Sequence, residues 1–271
     1  MTLKQDQFFI HETALVEEGA SIGKHVSIGP FCTVGKDVVL EEGVCLQSHV
    51  SIMGKVTIGK NAILYPFATI GCPPQSLRLT YDPVTHHIII GEGTIIREHV
   101  TIHPGTAEGR GVTEVGKNCF LMVASHVGHD CHVGDHVIMA NNATLGGHVT
   151  VGDYANIGGL SAVHQYVRIG KHAMIGGMSG VENDVIPYGS VMGDRARLSG
   201  LNVIGLKRRG FSRDDIHTLR NVYRLLFAQE GTLAERLLDV AHLFKDNDVV
   251  MEIVSFMQCD TDRSICLPKE G

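Results

Sequence analysis

From Ile10 onward an aliphatic residue returns at every sixth position: Val16, Ile22, Ile28, Val34, Leu40, Leu46, Ile52, Ile58, Leu64 and Ile70. The series breaks, resumes at Ile90, Ile96 and Ile102, and breaks again. It then runs from Val115 through Leu121, Val127, Val133, Met139, Leu145, Val151, Ile157, Val163, Ile169 and Ile175 to Val181. Two positions earlier sits a small or β-branched residue, such as Ala20, Val26, Val56, Ala62 or Ala68, and glycine often follows, as at Gly29, Gly59 and Gly134. An amphipathic helix repeats every 3.6 residues and a strand every two, so a period of six belongs to neither. It fits a triangular solenoid, in which each hexapeptide forms one flat side, the aliphatic residue points inward and the next residues turn the corner. Stacked coils then bury a continuous aliphatic column. The pattern predicts a mainly β fold.

The two interruptions, 72–89 and 103–114, must leave the prism as loops, and loops on a rigid scaffold commonly carry function. After Pro187 the six-residue pattern stops. Ser212-x-x-Asp215 and Thr232-x-x-Glu235 read as helix-start capping boxes. Ile216, Leu219, Val222, Tyr223 and Leu226 follow helical spacing, and Asp248–Met257 is long enough for a third helix. The expected organisation is a solenoid over 1–190 and a small helical domain over 191–271.

Composition narrows the class. With 44% hydrophobic and 19% charged residues, the 271-residue chain should fold rather than stay disordered. Thirty-two glycines and no tryptophan suit narrow, repetitive packing. A net charge of −6 argues against general nucleic-acid binding, which needs a basic face. Met1–Glu12 holds no apolar signal-peptide core, and no window approaches the roughly 20 apolar residues of a membrane span, so a cytoplasmic protein is expected. The seven cysteines are scattered and never spaced CxxC, which predicts buried thiols rather than disulfides or a zinc knuckle.

The stretches IGPFCTVG, IREHVTIHPGT, SHVGHDCHVG, ANNATLGGHV, IGGLSAVHQY and GLKRRGFS resemble the hexapeptide acyltransferases. More closely, HDC, NNATL and AVHQ in this order are similar to the UDP-N-acetylglucosamine O-acyltransferases of lipid A synthesis. The resemblance implies a left-handed parallel β-helix. It also implies transfer of an (R)-3-hydroxyacyl chain from acyl carrier protein to a UDP-amino sugar, with no cofactor and no metal. The family is a homotrimer with its active sites between neighbouring prisms.

Acyl transfer to a sugar hydroxyl needs a base, and histidine titrates in the useful range. By resemblance the base is His129, with Asp130 as the carboxylate that orients it. The thioester carbonyl becomes an oxyanion during attack and calls for a fixed donor. The family position for that donor matches the backbone N–H of Gly147. His126, His148, His164 and Gln165 match substrate-binding positions, although a chain with 16 histidines also displays many on its surface. Asn202, Arg208 and Arg209 match positions at the nucleotide diphosphate, where arginine's planar fork suits phosphate oxygens. Lys207, Arg213 and Arg220 extend this cluster, which either holds the acidic acyl carrier protein or is a solvated helix-start patch. Gln75, Ser76 and Arg78 lie in the first insertion, where the family reaches the acceptor. Gly177 matches the residue that closes or opens the acyl groove and acts as its chain-length ruler.

Two departures bear on the acceptor. Ser76 and Ile204 stand where the family commonly has an aspartate and a glutamate. The default acceptor is the sugar 3-hydroxyl; the alternative is a 3-amino sugar, which would give an amide. The N-acyltransferases acting later in the pathway usually carry an extra N-terminal domain, whereas repeats here begin at Ile10. From another class, a β-helical carbonic anhydrase needs three histidines around zinc, and a purely structural solenoid would leave the HDC and KRR groups without a role.

Overall fold

The computed structural model describes residues 9–75, 86–259 and 261–269. Each aliphatic residue of the six-residue series, from Ile10 to Val181, is the last residue of a short strand. These strands stack into three sheets: A with eleven strands, B with nine and C with eight. The chain visits A, B and C in turn, and apart from the two insertions each strand pairs in parallel with the one 18 residues on, as in Phe9↔Ser27 and Val127↔Leu145. This is a left-handed parallel β-helix. Its handedness reverses the usual crossover rule.

The inward positions form one apolar column. Ile28, Leu46, Leu64, Ile96, Leu121, Met139 and Ile157 stack along sheet A with essentially no exposure. The residues two places earlier, such as Val26, Ala62 and Ala155, fill the corners of the same column. Each corner places one residue in the left-handed backbone region, and most such residues are not glycine: Phe31, His49, Asn61, Asp130, His148 and Tyr166 all have φ between 56° and 66°. Aspartate, asparagine and histidine tolerate this region better than other side-chain-bearing residues. Aromatic residues here stack on their neighbours one coil away, as in His136–Tyr154 and Tyr154–His172, with centroids 4.6 and 4.9 Å apart.

The insertions are shorter than the sequence suggested. Strands His87–Ile90 and Val112–Val115 begin inside the segments 72–89 and 103–114. Pairing restarts early because Ile88 and Ile90 already alternate inward, and His87 to Ile90 match Lys55 to Ile58 residue for residue. Both insertions leave sheet B and return to sheet C, from the strands ending at Ile70 and Ile102, which are direct neighbours. They therefore interrupt the same corner on successive coils.

At the far end, strand Gly189–Met192 pairs with Met174–Ile175 and turns into an antiparallel partner, Arg197–Leu201. Strand structure thus extends past residue 190. Four helices follow: α1 (Val203–Arg208), α2 (Arg213–Leu226), α3 (Leu233–Leu243) and α4 (Asp248–Gln258). Both expected capping boxes form, with Ser212 and Asp215 starting α2 and Thr232 and Glu235 starting α3. The six-residue α1 escapes periodicity because it is too short for it; Asn202 caps it. Leu219, Val222, Leu226, Val240, Val250 and Ile253 form a second core among the helices, separate from the aliphatic column. Among the described residues, no helix is long and apolar enough to cross a membrane.

Candidate active site

The corner between sheets B and C gathers six of the candidate residues, and His126 lies on the strand that leads into it. His129 and Asp130 follow strand His126–Val127, Gly147 and His148 follow the paired strand one coil on, and His164 and Gln165 follow the next. Residues 18 apart in sequence are therefore adjacent in space.

Asp130 is buried, with 1% exposure, and its carboxylate accepts five hydrogen bonds. His129 Nδ1–H donates to Oδ2 at 2.8 Å and the Thr106 hydroxyl to the same oxygen at 2.6 Å. The backbone N–H groups of Thr106, Arg110 and Gly111 donate to Oδ1 at 2.9, 2.8 and 3.2 Å. Burial would push this carboxyl up, but the bonds from His129 and Thr106 outweigh it and hold it at about 2. Asp130 is thus a fixed negative charge whose cradle is the second insertion. With Nδ1–H committed to Asp130, the basic lone pair of neutral His129 sits on Nε2.

Gly147 is required here. A Cβ at this position would lie 2.5 Å from the His129 ring atoms Cε1 and Nε2. The missing side chain lets the imidazole pack against the backbone one coil away. The Gly147 carbonyl accepts from Tyr166 N–H at 3.2 Å, while among the described residues no acceptor takes its N–H. Gly147 is thus the backbone that packs against the ring nitrogen carrying the lone pair.

Three more histidines close round the pair. The His148 ring meets His129 edge-on at 4.9 Å and stacks on Tyr166 at 4.5 Å. His126 bonds Thr101 Oγ1 at 2.7 Å and meets His103 edge-on at 4.8 Å. Burial lowers the pKa of His126 and His148, and it takes His103, which also faces His126 and His129, down to about 4. All three are neutral near pH 7. His103 and Thr106 were missed in the sequence; the available signal was that His103 directly follows Ile102 at the head of an insertion.

Other candidates lie elsewhere. Gln75 is exposed at the start of the first insertion, while Ser76 and Arg78 fall outside the described residues. Gly177 sits at the corner between sheets A and B, next to exposed Met178, where a Cβ would come 3.3 Å from the Gly159 carbonyl oxygen. Asn202, Arg208 and Arg209 line a groove of about 670 Å³ over sheet A, with Ile204 on its rim. Sheet A is the face opposite the corner that carries His129, so one chain does not join the two groups. Asn202 spends its side chain on the α1 cap and on the His172 carbonyl. Arg209 lies 4.4 Å over the Tyr154 ring, a cation–π contact that fixes its head.

The zinc reading is not supported. Among the described residues, the closely spaced donor group is His129, Asp130 and His148, with two histidines rather than three. Both Asp130 oxygens and His129 Nδ1 are already engaged.

The six-residue β-helix places the chain among the bacterial hexapeptide transferases. A family model for bacterial transferase hexapeptides matches residues 113–147, and one described as UDP N-acetylglucosamine O-acyltransferase, domain 2, matches 184–266. The acyl-[acyl-carrier-protein]–UDP-N-acetylglucosamine O-acyltransferase of Caulobacter vibrioides is 53% identical, covering 96% of this chain and 98% of its own. That of Azorhizobium caulinodans is 52% identical, covering 97% and 96%. The solved UDP-N-acetylglucosamine acyltransferase of Francisella novicida superposes with a TM-score of 0.93 at 36% identity, covering 97% and 95%. The chain belongs to the acyl-[acyl-carrier-protein]–UDP-N-acetylglucosamine O-acyltransferase family.

Proposed function

We propose that this protein moves an (R)-3-hydroxyacyl chain from acyl carrier protein to the 3-hydroxyl of UDP-N-acetylglucosamine, in the cytoplasm, at the start of lipid A synthesis. The observation that carries the reading is the His129 Nδ1–H bond to buried Asp130, which leaves the imidazole lone pair on Nε2, where the ring packs against Gly147. Nε2 takes the proton of the sugar hydroxyl as its oxygen attacks the thioester carbon. The Gly147 N–H donates to the oxyanion. As the C–S bond breaks, the protonated His129 returns its proton to the departing thiolate, and His129 is regenerated. Asp130 stays ionised throughout and stabilises the imidazolium.

The nucleotide contacts assigned by resemblance, Asn202, Arg208 and Arg209, sit on the opposite face from His129. Their separation from His129 on one chain supports the reading that the sites lie between neighbouring prisms of a homotrimer, with a second copy supplying the nucleotide contacts.

Mass spectrometry of the product from UDP-N-acetylglucosamine and a panel of acyl carrier protein thioesters tests the reaction and gives the chain length. Mild alkali tests the acceptor atom, because it cleaves an ester and spares an amide. A product made only from the 3-amino sugar and stable to alkali overturns the hydroxyl assignment and leaves acyl transfer standing.

A further inference from the structure

Residues 261–268 return from α4 to the solenoid as a strap, and buried Asp184 is its anchor. Asp184 Oδ1 accepts from the Arg168 N–H at 2.8 Å. Its Oδ2 accepts from Arg168 Nε–H at 2.7 Å and from the Thr261 hydroxyl at 3.2 Å. Its backbone N–H donates to the Ser264 carbonyl at 2.9 Å, and its carbonyl accepts from Cys266 N–H at 2.7 Å. Arg168 completes the knot by donating to the Phe256 carbonyl at the end of α4 and lying 4.2 Å over the Phe256 ring.

The anchored strap delivers Arg263 to the corner described above. Arg263 Nε–H donates to the Gln165 carbonyl at 3.0 Å, and Arg263 Nη2 meets His164 Nδ1. A guanidinium has no acceptor, so in this contact it must donate. His164 Nδ1 is then the bare nitrogen, and the ring hydrogen sits on Nε2. The Gln165 carbonyl also lies 3.3 Å from His164 Nδ1, but the guanidinium contact is the closer of the two and can only be a donation onto a bare nitrogen.

We propose that Arg263 is a positioning residue that locks His164 in its Nε2–H tautomer, so that His164 offers a donor to an oxygen of the UDP-sugar. The inference rests on the reading of His164 as a substrate-binding residue. Through the strap, the C-terminal segment shapes an acceptor site almost 100 residues earlier in the chain. A carbonyl or phosphate oxygen is accepted by this tautomer, and a hydrogen-bond donor at the same place is rejected.

The test uses the full chain. Long-range proton–nitrogen correlation spectra of the histidine rings, with His164 assigned from the His164→Gln spectrum, report which nitrogen carries the hydrogen. Wild type should show the Nε2–H pattern for His164, and Arg263→Ala should lose it. KM for the UDP-sugar should rise about tenfold in Arg263→Ala, the effect of one lost hydrogen bond of ordinary net strength, with kcat within about twofold. Arg263→Lys keeps a donor near Nδ1 and should recover most of both readouts, which separates positioning from general damage to the strap. An unchanged His164 pattern in Arg263→Ala, or an equal loss in kcat with no change in KM, overturns the proposal. Failure of wild type to acylate any UDP-sugar overturns the functional reading instead, and the tautomer readout still stands apart from it.

Discussion

Two corners of the prism share one backbone geometry and carry different chemistry. Between sheets A and B the left-handed positions hold Phe31, His49, Phe67 and His99, a ladder with ring centroids 4.9 to 5.1 Å apart. Between sheets B and C the same positions hold Asp130, His148 and Tyr166, with φ of 60°, 63° and 66°. The first corner is continuous, and its aromatic side chains stack on one another at the surface. The second is interrupted twice, and the second interruption folds over Asp130 and supplies four of its five hydrogen bonds. A carboxylate is stable in such a buried place only when it is fully bonded. The solenoid thus sets the stacking, and the break in the repeat buries a bonded carboxylate. The buried histidine–carboxylate pair lies where the repeat fails.

The sharpest break of this contrast is His129→Ala. Loss of the general base should lower the rate roughly 10²–10⁴-fold, with strand content by circular dichroism unchanged. Near-normal turnover would remove His129 from the mechanism.

Gly147→Ala comes next. Its new Cβ would collide with the His129 ring at 2.5 Å, and backbone cannot yield as a flexible side chain can. Displacing the base by about 1 Å should lower kcat about 10²-fold, while the unfolding midpoint moves little. An unaltered kcat would show that His129 does not depend on this packing.

The pH dependence of stability separates the corners further. His103 has its pKa lowered to about 4, so its neutral burial contributes stability that is present above the unfolded value of about 6.5 and lost as pH falls toward 4. Asp130, held at about 2, contributes stability present above about 3.8 and lost as pH falls toward 2. Denaturant titrations of His103→Gln should show a flatter stability curve between pH 6.5 and 4 than wild type. Identical curves would place His103 outside this effect.

At the uninterrupted corner, Gly177→Met should leave the fold intact, because the added Cβ makes a 3.3 Å contact rather than a collision. It should shift preference toward shorter acyl donors in competition assays. An unchanged chain-length profile would remove Gly177 as the ruler.

The smallest functional effect is expected for Phe67→Ala. It removes stacking on His49 and His99 and should lower stability by about 1–2 kcal/mol, leaving KM for the UDP-sugar unaltered. A change in KM would mean that the two corners are coupled.

The architecture was legible because each aliphatic residue of the six-residue series answers to its own local side of the prism. Every member of that series, from Ile10 to Val181, ends a strand. The helix starts at Ser212 and Thr232 were legible for the same reason, since a capping box is a contact across three residues. The insertion ends were read too far, because Ile88 and Ile90 continue the inward alternation before the six-residue series is visibly restored.

What the sequence by itself determined is therefore everything local or periodic: the coil, its inward column, the helix caps, and the motif that singles out His129 and Asp130. What only the tertiary structure decided is which distant residues share a corner. Thr106 reaches Asp130 across 24 residues, His103 meets His126 across an insertion, and Arg263 reaches His164 from the end of the chain. None of these contacts leaves a periodic trace, because each depends on where a loop or strap comes to rest against the stacked coils. Burial then sets their chemistry: desolvation keeps His103 neutral, and a full set of donors keeps Asp130 charged.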